Sequence, residues 1–210
     1  CPFGAVIMQP HPGKPGHELA VVEPDLCAAC GICAGACPSS TPFRSISELV
    51  TGIDMPQRSV HALRAELDAA LDGLTGEARV VVFGCDRAAA VHRLRGPGVA
   101  TVSLMCAAQL PPSFVDYALR DGRADGVLVA GCRAGDCWFR FGDTWVEERF
   151  RHAREPHLRT HAARARVHVA WAGATDLAAL RAELARYRAS LRRPAPAPVT
   201  EPQPRSAAHD

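Results

Sequence analysis

The chain has 210 residues, 48% of them hydrophobic, and a formal net charge of +2. That composition supports a core in one or two domains, and the charge is too small to suit nucleic acid or an anionic membrane. No apolar run reaches the roughly 18–20 residues of a membrane span, and no signal peptide opens the chain. The expected setting is cytoplasmic. Lys14 is the sole lysine, which reflects base composition more than a phosphate-binding face. The 9 cysteines are the informative part. An odd number without a secretory signal argues for metal or redox chemistry over a disulfide framework.

Residues 1–40 are rich in Cys, Gly and Pro, with two short apolar runs, AVIM and ELAVV, on either side of the loop QPHPGKPGH at about 9–17. The stretch CAACGICAGACP at 27–38 then places Cys27, Cys30, Cys33 and Cys37 before Pro38. This is the C-x2-C-x2-C-x3-C-P run of bacterial ferredoxins, whose leading thiolates hold irons of one [4Fe–4S] cubane. Gly31, Gly35 and the alanines let the backbone wrap closely and aim N–H groups at sulfur. Zinc sites use separated cysteine pairs, so zinc and free thiols are the weaker readings. In two-cluster ferredoxins the fourth cysteine serves the other cluster. On that pattern Cys1, in the opening CPFGAV, completes the cluster of Cys27, Cys30 and Cys33. Cys37 then belongs to a second [4Fe–4S] cluster whose other ligands lie outside the chain. In the plainer alternative Cys37 closes its own run and Cys1 is incidental. The region 1–40 is thus expected to be a small, truncated ferredoxin-like Fe–S domain.

Residues 41–58 are expected to be a linker with room for one short helix. Val60, Leu63, Leu67, Leu71 and Leu74 recur at helical spacing and predict an amphipathic helix over 59–74. Four Val-rich runs follow, at 79–84, 99–105, 125–131 and 166–173, separated by helical segments at about 86–95, 112–121 and 143–164. Near-continuous apolar strands alternating with helices predict an α/β fold with a four-stranded parallel sheet and flanking helices over 59–192. Asp143 is expected to cap the third crossover and Pro156 to break it. A last helix starts near Thr175, with Leu177, Leu180, Leu184, Tyr187 and Leu191 as its stripe. The Pro-rich tail at 193–210 is expected to be disordered.

The other cysteines stand at strand ends. Cys85 follows the first strand, Cys106 the second and Cys132 the third, and Cys137 lies in the loop GCRAGDCWF. Parallel strands put their ends on one edge, where open α/β folds build sites, and the loop returns the fourth thiol to it. Each cysteine alone could be inert packing. Together they point to an Fe–S cluster, ahead of zinc or a redox disulfide. Four ligands from scattered elements, with C-x4-C spacing at Cys132 and Cys137, favour [2Fe–2S] over [4Fe–4S].

The stretches VVVFGC (80–85), VSLMCAAQLPPSFVDYALRDGRADGVLVAGCRAGDCWFRFG (102–142) and Glu147–Arg149 resemble the iron–sulfur delta subunit of methyl-viologen-reducing hydrogenase. The most specific segment reads RADGVLVAGCRAGDC. That family also occurs fused to heterodisulfide-reductase flavoproteins. The resemblance implies a [2Fe–2S] cluster that relays electrons between a hydrogenase or other donor and a flavin-bearing partner. Its cysteines carry over to Cys85, Cys106, Cys132 and Cys137. Where the family often has C-x-x-C after the first strand, this chain has Cys85-Asp86-Arg87-Ala88, which leaves four ligands.

Trp138 and Phe139 are placed to shield the cluster, to form a docking face or simply to pack. Trp145 is expected in the core. His152, His157 and His161 read as solvated helix positions, and Arg149, Arg151 and Arg154 as a solvated face. No G-x-G-x-x-G follows a strand, and no P-loop, G-x-S-x-G or H-E-x-x-H occurs. The expected function is therefore electron transfer between redox protein partners, hydrogenase-like and flavoprotein, with no catalytic residue of its own. The alternatives are a zinc-binding docking module and a thiol or sulfur-transfer enzyme using Cys132 and Cys137.

Overall fold

In a computed structural model, residues 1–38, 52–159 and 161–192 are described. Most of the expected linker and all of the expected disordered tail lie outside them. The two N-terminal apolar runs pair as an antiparallel hairpin, β1 (Val6–Pro10) with β2 (Glu18–Val22), Val6 opposite Val22. A turn at Pro24–Leu26 leads into the cysteine loop, which ends in the short helix α1 (Ile32–Ala36). Gly31 sits at φ 75° before that helix, a left-handed conformation that costs glycine nothing.

Helix α2 (Val60–Asp72) opens on Ser59, whose Oγ accepts the Ala62 N–H at 3.1 Å. Its buried stripe is Val60, Leu63, Leu67 and Leu71, as the spacing predicts. The four Val-rich runs form β3 (Val80–Cys85), β4 (Val99–Leu104), β5 (Gly126–Gly131) and β6 (Val167–Trp171). All neighbours pair in parallel, in the order β4-β3-β5-β6. Both faces are covered, which is why the central strands lack polar alternation. Val81, Phe83, Val127 and Val129 face one core with Leu63, Leu67 and Phe114. Val80, Val82, Leu128 and Ala130 face the other with Leu180, Leu184 and Tyr187 of the last helix, Leu177–Leu191.

The crossovers depart from expectation in two places. Between β3 and β4 there is a 3-10 turn, Val91–Leu94, and no α-helix. Gly84 explains it: a Cβ there would lie 2.3 Å from a Val91 methyl carbon, so the turn rests directly on the strand. Helix α3 (Pro112–Leu119) links β4 to β5, and α4 (Gly142–Phe150) and α5 (His161–Ala165) link β5 to β6, separated around Pro156. Asp143 does not cap α4, because Phe141 holds the cap position. Its buried carboxylate accepts instead from the Gly135 N–H at 2.7 Å and the Thr144 N–H at 2.8 Å, fastening the preceding loop to the helix.

Strand order reverses at β3, so the carboxyl ends of β3 and β5 flank the crevice where doubly wound sheets place their sites. The N-terminal segment packs on the same edge. Cys30 and Ile32 belong to the core that contains Leu63 and Phe83, and Arg140 Nη1 donates to the Pro2 carbonyl at 2.9 Å. Among the described residues no helix is long and apolar enough to cross a membrane.

Candidate metal centre

Cys85 is the last residue of β3, Cys106 lies two residues past β4, and Cys132 directly follows β5. The loop from Cys132 to α4 carries Cys137 back to them. Their sulfurs form a closed ring of contacts: Cys85 touches Cys106 and Cys132, and Cys137 touches the same two. Cys85, Cys106 and Cys132 are buried and Cys137 is half-buried. Hydrogen bonds run between the thiols around the ring. Those from Cys106 and Cys132 hold Cys85 and Cys137 well below the usual thiol range. The same contacts, with burial added, push Cys106 and Cys132 up.

Backbone donors surround the ring. The Arg87 N–H points at Cys85 Sγ at 3.4 Å. The main chain of Ala107 also serves Cys85, that of Ala108 serves Cys106, that of Trp138 serves Cys132, and those of Phe139 and Asp143 serve Cys137. Arg87 follows β3, and the other donors come from the turn Ala107–Gln109, the approach to α4 and its first turn. Such N–H groups favour thiolate over thiol. Gly142 completes the cradle, since a Cβ there would fall 2.4 Å from Cys106 Sγ and 2.9 Å from Cys137 Sγ. An all-sulfur donor set ringed by N–H groups fits the donor chemistry of an Fe–S cluster. Among the described residues no group of three or more His, Cys, Asp or Glu is set to hold a single metal ion.

Arg149 corrects a sequence reading. It is not on a solvated face: it is 2% exposed and, among the described residues, the largest fully buried side chain. Its Nη1 donates to the Ala108 carbonyl at 2.8 Å, and its Nε has no hydrogen-bond partner. Burial brings its pKa down to about 10. A signal was present, because Arg149 lies three residues after buried Val146 and so shares its helix face. Arg151 is exposed, as expected, and pairs with Glu147 at 2.9 Å. His152 and His157 lie in the turn past α4 and not in a helix, with rings 4.1 Å apart. The side chain of His161 lies outside the described residues. Phe139 is buried beside the ring, Trp145 is half-buried against the core, and Trp138 is 69% exposed with Arg87 5.4 Å from its ring centre.

The N-terminal cysteines form a second group. Burial raises Cys30 and Cys33, main-chain groups of Ile32 and Ala34 oppose this, and the charges of Cys27, Cys30 and Cys33 reach one another. Cys1, Cys33 and Cys37 line one cavity of about 560 Å³. A separate open cavity of about 620 Å³ lies between the two groups, lined by Phe3, Ala28 and Ala29 on one side and by Asp86, Arg87 and Trp138 on the other.

Residues 79–193 match the family described as methyl-viologen-reducing hydrogenase, delta subunit. The chain is 38% identical over 68 residues to one component of the ferredoxin/F(420)H(2)-dependent CoB-CoM heterodisulfide reductase of Methanosarcina acetivorans, covering 32% of this chain and 8% of that protein. It is 35% identical over 60 residues to an iron-sulfur subunit of the F420-non-reducing hydrogenase vhc of Methanococcus voltae, covering 29% of this chain and 41% of that one. A third relative, an iron-sulfur subunit of the F420-non-reducing hydrogenase of Archaeoglobus profundus, is 36% identical over 66 residues, which are 31% of this chain and 47% of the relative. The chain thus spans less than half of each of these relatives.

Proposed function

The chain belongs to the methyl-viologen-reducing hydrogenase delta-subunit family, and from that premise we propose that it is an iron–sulfur electron-relay subunit working between a hydrogenase or other low-potential donor and a flavin-bearing oxidoreductase. The observation that carries this reading is the ring of four thiols at the carboxyl edge of the sheet. Cys85, Cys106, Cys132 and Cys137 would hold a [2Fe–2S] cluster there. Cys27, Cys30 and Cys33, with Cys1, would hold a [4Fe–4S] cluster in a ferredoxin-like segment, and Cys37 would serve a second one. Such clusters take up and release single electrons over a wide range of potentials.

The chain's own residues would do three things. The thiolates donate to iron. The N–H groups of the Ala107–Gln109 turn and of the α4 approach offset thiolate charge. The buried side of the ring, from Phe139 to the sheet, keeps water out, while half-buried Cys137 and exposed Trp138 leave one side open toward a partner. The relatives are named as parts of hydrogenases and of a heterodisulfide reductase, which supports partners of those two kinds.

The test is iron, acid-labile sulfide and EPR on the full chain purified without oxygen, beside Cys106→Ser and Cys30→Ser. Cys106→Ser should lose about two iron and two sulfide per chain, together with an S = 1/2 signal that persists on warming. Cys30→Ser should spare that signal. Zinc in place of iron would make the ring a structural site. A metal-free ring with a rapidly alkylated Cys137 would make the protein a thiol enzyme.

A further inference from the structure

Arg149 is fully buried on the inner face of α4, beside Val146. Its Nη1 donates to the carbonyl of Ala108 at 2.8 Å. Its Nε is left without a partner, and among the described residues no carboxylate pairs with it. The nearby guanidinium of Arg154 adds a second positive charge and no compensation. A buried cation is costly unless an anion answers it. The Cys106 sulfur lies within electrostatic reach of it, and as a cluster ligand that sulfur would carry negative charge. Ala108 joins the two, since its carbonyl takes the guanidinium and its main chain serves the Cys106 sulfur.

We infer that Arg149 is the internal counter-charge of the four-cysteine centre and sets its reduction potential. The inference rests on the proposal that the ring holds an Fe–S cluster. Arg149 is a positioning residue: it acts through its fixed charge and through the Ala108 peptide. When one electron arrives from a reduced donor protein, the centre becomes one unit more negative and no atom leaves. A fixed positive charge favours the reduced form more than the oxidised form, so it draws the potential upward. Neutral side chains at this position should make the centre harder to reduce, and lysine should largely preserve the wild-type behaviour.

The experiment is an EPR-monitored redox titration of the full chain with Arg149→Gln and Arg149→Lys, following the signal that Cys106→Ser abolishes. At a fixed ambient potential, Arg149→Gln should lower the reduced-to-oxidised ratio tenfold or more, which is about 59 mV for one electron. Arg149→Lys should stay within threefold of wild type. A Gln variant that titrates like wild type overturns the inference, as does a Lys variant that falls as far as Gln. Should neither variant take up iron, the thermal midpoints of the iron-free chains decide. Midpoints below wild type for both make Arg149 a packing element and overturn the inference. A Gln midpoint at or above wild type, with iron uptake alone lost, supports it, because only the bound anion then needed the charge. A wild-type chain that binds no iron overturns the cluster proposal itself, a result distinct from an unshifted Gln titration.

Discussion

The α-carbon of Gly142 is packed so closely against Cys106 that a methyl group added to it would lie 2.4 Å from the sulfur. Alanine is otherwise preferred to glycine in a helix by about 1 kcal/mol, so helix propensity alone would favour the substitution. Gly142→Ala should nevertheless displace Cys106 and Cys137 and reduce iron bound at the ring by at least half. Iron and sulfide assays on anaerobic protein check this, with far-UV circular dichroism showing that the fold survives. Full iron content in the variant would refute it.

A similar close approach joins the two groups of cysteines. A Cβ on Gly35 would lie 2.5 Å from the carbonyl oxygens of both Ala108 and Gln109. Backbone on both sides leaves no flexible atom to yield. Gly35→Ala should push α1 away from the Ala107–Gln109 turn, at a cost of about 1–3 kcal/mol in stability. Both sites should still load with iron, while magnetic interaction between their reduced signals weakens. EPR line shapes of the fully reduced variant and wild type give the comparison.

Asp125 clamps the entry to the sheet. Its Oδ2 accepts the Arg79 backbone N–H at 2.8 Å, and its Oδ1 accepts from Arg79 Nη2 at 3.0 Å. Hydrogen bonding from Arg79 outweighs desolvation and holds the Asp125 carboxyl below the usual range. A folded-state pKa depressed below the unfolded value of about 3.9 means stability that is present above that value and lost as pH falls through the folded pKa. The pair is partly exposed, so solvent screening limits its worth to about 1 kcal/mol. Asp125→Asn should lower the thermal midpoint at pH 7, and the gap to wild type should shrink as pH drops below about 4. A gap that widens in acid would contradict the assignment.

Phe114 of α3 is fully buried against the sheet. Phe114→Ala should cost about 3–5 kcal/mol, read as a shift in urea midpoint at unchanged slope. A loss below about 1 kcal/mol would mean that α3 packs more loosely than this burial implies.

Much of the sheet is legible in the chain because doubly covered parallel strands are written as bare Val-rich runs. The observed strands start and stop close to those runs, and Cys85, Cys106 and Cys132 meet because parallel strands place their ends together. The first crossover misleads because Ala88, Ala89 and Ala90 are strong helix formers, yet they only lead into the 3-10 turn Val91–Leu94. The clue is Gly84, whose missing side chain admits Val91. Arg149 misleads when charge is weighed ahead of helix phase, although Val146 three residues earlier marks the inner face. The docking of α1 on the Ala107–Gln109 turn has no local signature, since nothing in a short pattern says which surface Gly35 will meet.

Ile32 is 1% exposed and lies in the same core as Leu63, Leu67 and Phe83. The loop between Cys27 and Cys37 is thereby rooted in the floor of the sheet domain. Two redox centres mounted this way would keep a set separation, where centres on tethered beads would wander. Protein engineers who wish to graft a different electron input onto this scaffold would have to reproduce a buried aliphatic residue at position 32 and a bare backbone at 35. The exchangeable cassette is then the whole assembly, and natural shuffling of this segment would carry both features along with its cysteines.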